Sequence, residues 1–203
     1  MKRPKRFKHM LDAIAYFTAL NLACALTDIP IEILEHMQSL MKGKTPQGVD
    51  SVCEVCFCVG SALGCLISVP ICKRLGYPLT VCIFFAFSGL FSALTVIPIH
   101  WSYIIVMRTF TGFFASTCFS VVPLLIAEEL TPEEREKTMM FFSVNVNMGI
   151  FITYLIHFGI SFNYYYYFMI FILPVLMSII ASILSYRVYK TMRVRNRRLG
   201  RLK

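Results

Sequence analysis

Residues 107–135, MRTFTGFFASTCFSVVPLLIAEELTPEER, decide how this chain folds. The segment starts as an apolar run of helix length that contains one charged residue, Arg108, and it ends in two pairs of glutamates, with a proline between the pairs and a second arginine after them. An ionisable side chain at membrane depth costs roughly 2.5–3.5 kcal/mol on insertion scales, so it persists only with a partner, a water-filled cavity or a function. Arg108 is therefore predicted to have one of these.

The composition around this segment is that of an integral membrane protein. The chain has 203 residues, of which 57% are hydrophobic, and its mean hydropathy is +0.67. About 20 apolar residues are needed to cross the hydrocarbon core as a helix. Runs of that kind, without the alternating polarity of barrel strands, predict an all-α membrane protein, a bundle of six transmembrane helices. They occupy residues 10–34, 51–72, 78–99, 102–127, 138–160 and 165–189.

The net charge of +9 raises the question of nucleic-acid binding, but the positions of the charges argue against it. With six spans, seventeen of the 20 lysines and arginines fall on one side of the membrane, and only Lys42 and Lys44 fall on the other. The positive-inside rule then places both termini in the cytoplasm. We predict a basic cytoplasmic N-terminus (residues 1–9), a six-span bundle (10–189) and a basic cytoplasmic tail (190–203). The tail is expected to touch the anionic lipids of the bilayer rather than nucleic acid.

Only two charged residues lie well inside the predicted spans, Asp28 and Arg108. Span one runs outward and span four runs inward, so both residues lie about 9 Å below the outer boundary. Two alternatives stay open: a salt bridge that only holds helices together, or a carboxylate exposed to a central cavity. Asn145 and Asn147 in span five point to different faces, and either amide could face a cavity or bond to a neighbouring helix.

Small residues at helical spacing predict close helix packing. Gly60 and Gly64 form a GxxxG pattern in span two, and Gly112 and Ser116 repeat a small-xxx-small spacing in span four. Tight packing within the bundle is the favoured interpretation, and a dimer interface is the alternative.

No motif predicts an enzyme, a metal site or a cofactor. Cys53, Cys56 and Cys58 lie close together at the start of span two, but a metal site needs more ligands at matching depth. Packing is the favoured role for these cysteines, with a disulfide or a metal as alternatives. We see no pairing of a nucleophile with a base. A signal-peptide pattern that ends at residues 23–25 leaves cleavage of the first span open.

One family resemblance covers nearly the whole sequence. Arg108, Gly112, Pro123, Glu128 and Arg135 have the spacing R-x3-G-x10-P-x4-E-x6-R, which resembles the fourth-span motif of the sugar-porter branch of the major facilitator superfamily. The second span with its turn, LTDIP in span one and the fifth span also look like this family, but only like the N-terminal half of its fold.

The resemblance implies a function and roles for particular residues. It implies secondary transport of a small polar solute, sugar-like and proton-linked, with Asp28 as the titrating carboxylate and Arg108 as its counter-charge. It also implies a cytoplasmic charge network that contains Glu128, Arg135 and Arg74. The solute site of such transporters lies between two six-helix halves. A second bundle, from another copy or a separate chain, is therefore the expected partner.

The sequence also departs from the family pattern. The turn after span two lacks the usual aspartate and trailing arginines, and Ser143 stands where the family has a sugar-binding glutamine. These departures leave an alternative open: a truncated paralogue that transports nothing and acts as a membrane interaction or regulatory protein.

Overall fold

The computed structural model describes residues 5–26, 48–95, 97, 99–160 and 167–198. These ranges are helical except for short connections. The helices are α1 (Lys5–Leu26), α2 (Val49–Leu75), α3 (Tyr77–Thr95), α4 (Trp101–Glu129), α5 (Pro132–Ile160) and α6 (Tyr167–Arg198). Five of them, α2 to α6, are long and apolar enough to cross a membrane. The all-α membrane architecture is therefore confirmed.

Two helix boundaries differ from the hydropathy runs. The described part of α1 begins at Lys5 and ends at Leu26, and the rest of the predicted first span lies outside the described residues. At the other end of the chain, α6 continues to Arg198, through residues that the sequence assigned to a basic tail. Hydropathy misses this extension because residues 190–198 are mostly basic, whereas their backbone simply continues the helix.

Local sequence explains the two short turns of the described chain. Gly76 alone separates α2 from α3; its φ of 82° is available to glycine at little steric cost, and its N–H donates to the carbonyl of Cys72. Between α4 and α5, Pro132 occupies the first helical position of α5. The Thr131 hydroxyl donates to Glu134 Oε2 at 3.0 Å, which ties the connection to the first turn of α5.

Helix α4 is the most buried of the five candidate spans, and α2, α3 and α1 pack around it. Helix α2 rests almost entirely on α4, and glycines bring the two backbones together. A Cβ atom at Gly60 would lie 2.1 Å from the carbonyl oxygen of Thr109, and one at Gly112 would lie 2.4 Å from that of Phe57. Gly64 has the same relation to Phe113, at 2.3 Å. In the described structure these glycines therefore lie at a helix contact within the bundle.

A buried polar node joins α1, α3 and α6. The Asn21 amide donates to the carbonyl of Pro174 at 3.0 Å and to the hydroxyl of Ser178 at 2.7 Å, and Asn21 Oδ1 accepts from Ser88 at 3.4 Å. Buried polar groups need such partners, because an unmade hydrogen bond in an apolar interior is costly. The node holds α1 against α3 and α6. Helix α1 also packs against α5.

Candidate functional site

A groove of about 600 Å³ lies between α1 and α5, near the N-terminal ends of both helices. Aromatic and small side chains form most of its walls, and charged or amide groups interrupt them. Its lining consists of Lys8, Asp12, Ala13, Ala15, Tyr16, Phe17, Lys137, Thr138, Phe141 and Asn145. We call this feature the α1–α5 groove.

The polar lining of the α1–α5 groove follows from helical periodicity. Lys8, Asp12 and Tyr16 succeed one another at intervals of four residues on α1, so they share one face of that helix. On α5, residues 137, 141 and 145 have the same spacing. Each helix therefore presents a stripe to the groove over about 12 Å of its length.

Two contacts tie these stripes together. The Thr138 hydroxyl donates to Asp12 Oδ1 at 2.7 Å, and Lys8 Nζ lies 3.4 Å from Glu134 Oε1. The Lys8–Glu134 pair is partly exposed on both sides and is expected to contribute little to stability. The Asp12–Thr138 bond leaves most of the acceptor capacity of the carboxylate unused, because a carboxylate offers about four lone-pair sites.

The two asparagines of α5 have different surroundings. Asn145 is half-buried and lines the α1–α5 groove. Asn147 is exposed and donates to the carbonyl of Ser143 at 3.2 Å, one turn earlier on the same helix. Ser143, at the position of the family's glutamine, is exposed as well.

Arg108 is buried and does not line the α1–α5 groove. Its Nη1 donates to the carbonyl oxygen of Ala25 at 3.3 Å, and its guanidinium carbon lies 5.5 Å from the centroid of the Phe57 ring. Arg108 thus joins α4 to both α1 and α2. Asp28, the predicted counter-charge, lies outside the described residues.

The residues of the predicted cytoplasmic charge network occupy separate positions. Arg135 lines a second groove, of about 670 Å³, where α4 ends and α5 begins. Glu128 on α4 and Arg74 at the end of α2 are exposed, and neither lines this second groove. The network stays a prediction.

Sequence reasoning missed two polar residues. Asp12 is not among the residues that the sequence patterns select, although its spacing from Lys8 and Tyr16 is a usable signal. Glu129, not its neighbour Glu128, is the buried glutamate, and Arg195 holds it with hydrogen bonds of 3.0–3.1 Å. No sequence signal marked this pair, since Arg195 belongs to the predicted tail.

The cysteines at the start of α2 do not share one environment. Cys53 is buried, whereas Cys58 is exposed. Among the residues with described positions, no three His, Cys, Asp or Glu side chains could hold one metal ion.

Comparison with solved structures places the fold. The xylose transporter XylE from E. coli, in an inward-open conformation, matches 89% of this chain with a TM-score of 0.62 at 17% identity. A crystal structure of a D-xylose-proton symporter matches 96% of this chain with a TM-score of 0.60, also at 17% identity. The matches cover only 46% and 53% of those proteins, so the chain spans about half their length.

Sequence comparison identifies the family. No curated protein sequence matches the chain. The family described as "Sugar (and other) transporter" matches residues 32–191, which is most of the chain. This is a family of transporters and not of enzymes, and the resemblance to the sugar-porter branch is confirmed. The chain is therefore a multi-pass integral membrane protein that belongs to the sugar (and other) transporter family.

Proposed function

We propose that this chain moves a small polar solute of the sugar class across the membrane, as one six-helix half of a secondary transporter. The observation that carries the proposal is the α1–α5 groove. It brings a carboxylate, an amide and two lysines onto helices of a membrane bundle. Asn145 lies within the fifth predicted span, and polar groups inside a membrane bundle often mark substrate or ion pathways. The charged groups lie near the start of the groove's two helices.

A second six-helix bundle is part of the proposal. Helix α5 is the least buried of the five candidate spans, and Ser143 and Asn147 are exposed on it. Hydroxyl and amide groups face lipid poorly, so a protein or aqueous surface suits this side of the helix better. In transporters built from repeats, the solute site lies between the repeats. The second bundle would be another copy or a separate chain, and it would close the open wall of the pathway.

The residue roles follow the resemblance. Asp28 titrates as solute passes, Arg108 is its counter-charge, and Asn145 lines the route to the cytoplasmic side. Ala25, which accepts from Arg108, precedes Asp28 by three positions, so this spacing supports the pairing. Glu128, Arg135 and Arg74 would stabilise one state of the cycle on the cytoplasmic side, where both termini are proposed to lie.

The mass of the assembly in lipid nanodiscs tests the need for a second bundle. We expect a species of about twice the chain mass of 23.3 kDa, as closed two-fold pairing predicts, and uptake of a labelled sugar after reconstitution into vesicles. A folded monomer without uptake would contradict pairing of two copies. A separate partner chain, or the regulatory alternative, would then be the better explanation.

Replacing Asp28 tests the coupling role directly. Asp28→Asn should abolish the pH dependence of uptake, because the amide cannot bind and release a proton, while insertion and assembly mass stay unchanged. Uptake measured at acidic and neutral pH gives the result, and Asp50→Asn is the matched control at another carboxylate. Uptake by Asp28→Asn that still rises on acidification would remove Asp28 from the mechanism.

A further inference from the structure

We infer that the end of α6 is a docking surface for a membrane phospholipid whose headgroup carries several phosphates, in the leaflet where this helix ends. Four exposed basic residues form the surface, which we call the α6 basic stripe: Arg187, Lys190, Arg193 and Arg197. Lipid binding there is independent of the proposed transport. The positive-inside rule places basic residues near one leaflet, but it does not say which of them face the lipid.

Helix α6 is longer than the hydrocarbon core is thick. Its 32 residues rise about 48 Å along the helix axis, whereas the core measures roughly 30 Å. Tyrosine is enriched at the boundary between the core and the headgroups, and the rings of Tyr186 and Tyr189 lie with their centroids 6.4 Å apart near the end of α6. The α6 basic stripe begins at this level and continues away from the core.

The α6 basic stripe faces away from the bundle. A helix turns by about 100° per residue, so the intervals of three, three and four residues keep the four cations within a sector of about 120°. Val188, which is fully buried, and Met192, which packs against the core, lie on the opposite side of α6. Arg195 lies on that inner side as well, where Glu129 holds it. Packing of the inner side therefore holds the stripe in a fixed orientation.

One face of α6 is apolar before the stripe and basic along it. Large exposed apolar side chains lead to the stripe at intervals of three or four residues: Ile172, Leu176, Ile179 and Ile183. Arg187 continues this series four residues after Ile183. Acyl chains that pack on the apolar part carry their headgroups at the level of the stripe. A lipid is therefore the occupant that the fold brings to these cations, whereas an acidic protein or a nucleic acid would approach only from the water.

The cations of the α6 basic stripe are available to phosphate groups. Among the basic residues of α6, the described ion pairs use only Arg195, and the helix contains no acidic residue. Arginine binds phosphate through two parallel hydrogen bonds, and lysine adds a compact positive charge. Three arginines and one lysine on a fixed helix thus form a positive surface that complements an anionic headgroup.

The height of the α6 basic stripe selects the kind of headgroup. From Arg187 to Arg197 the helix rises about 15 Å, whereas the headgroup layer is only about 5–8 Å thick on each side of the core. A lipid with a single phosphate reaches Arg187 and Lys190 but leaves the two later arginines in water. A headgroup that carries further phosphates on a ring, as in phosphoinositides, extends farther from the bilayer, towards Arg193 and Arg197.

Lipid retention in native mass spectrometry tests the docking surface. The full chain is released from phosphatidylcholine nanodiscs that contain equal small amounts of phosphatidylserine and phosphatidylinositol bisphosphate. The bisphosphate should be retained at least about tenfold more often than phosphatidylserine. Arg193→Gln combined with Arg197→Gln should remove about tenfold or more of this preference, the loss predicted for two basic residues near an anionic surface.

Lys73→Gln combined with Lys137→Gln is the matched control, because it removes two exposed cations that lie outside the α6 basic stripe. This control should retain the bisphosphate as the unsubstituted chain does, and thermal unfolding verifies that both double variants are folded. Equal losses in the two double variants would overturn the docking surface, because net charge and not the stripe would then determine binding. Equal retention of the two anionic lipids would overturn the headgroup class. Displacement of the lipid by an equimolar amount of soluble inositol trisphosphate, or of an acidic peptide, would overturn a membrane lipid as the occupant.

Discussion

Gly60→Ala should separate α2 from α4 and destabilise the bundle by about 3 kcal/mol, at the upper end of the usual cost of overpacking. The added methyl group would start 2.1 Å from the carbonyl oxygen of Thr109, and it would meet backbone there rather than a movable side chain. The helices must therefore move apart. Moving them apart would also loosen the close approaches of Gly64 to Phe113 and of Gly112 to Phe57, which belong to the same helix contact. Because α2 has no other extensive neighbour among the described helices, nothing compensates for the loss.

Unfolding in SDS, followed by circular dichroism or by the fluorescence of Trp101, gives the free energy. Ala62→Val is the matched control: it adds two carbons to the same helix at an exposed position, two residues away. We expect that control to be close to the unsubstituted chain. Equal stability of Gly60→Ala and Ala62→Val would contradict the close packing. A change in assembly mass without a change in unfolding would instead favour the dimer-interface interpretation of the GxxxG pattern.

The helices and their close contacts were predictable because the signals for them are local. A run of apolar residues specifies a membrane helix without reference to its neighbours. Glycines four residues apart specify a flat patch, although not which helix it meets. The structure supplies that missing information, and it identifies α4 as the partner. For the first span, the structure can be compared with the prediction only as far as Leu26, because the residues that follow lie outside the described ranges.

The polar site was less predictable, because it depends on how helices distant in sequence are aligned. Asp12 and Thr138 are 126 residues apart, and only their facing positions on α1 and α5 join them into one groove. Sequence spacing marked Asn145 and Asn147 as candidates, but it could not say which of the two faces inward. A turn of about 100° separates successive residues on a helix. The same rotation separates buried Glu129 from exposed Glu128. The family motif selects Glu128, and it carries no information about which of the two glutamates is buried.

Arg195→Ala should destabilise the bundle by about 2 kcal/mol, by leaving Glu129 with fewer partners in a buried position. Arg195 Nη1 and Nη2 donate to both carboxylate oxygens at 3.0–3.1 Å, and the guanidinium carbon lies 5.8 Å from the centroid of the Phe7 ring. Hydrogen bonds to charged groups contribute about 1.5–3 kcal/mol each in favourable cases. Because the Arg195 side chain is 37% exposed, solvent screens part of the attraction, and the expected total is smaller than for a fully buried pair.

This pair matters because it closes one end of the bundle across three helices, with Glu129 on α4, Arg195 on α6 and Phe7 on α1. Glu129→Gln should cost less than Arg195→Ala, because an amide tolerates burial better than a carboxylate that has lost its arginine. The double substitution should then cost less than the sum of the two, as expected for residues in contact.

Lys8→Ala is the control for a charge pair whose side chains are both partly exposed, and it should change stability by under about 1 kcal/mol. Thermal unfolding in detergent compares all four variants. A loss of stability for Arg195→Ala no larger than that for Lys8→Ala would show that the contact of α6 with Glu129 does not stabilise the bundle. The helical continuation of α6 to Arg198 would then lack this structural role.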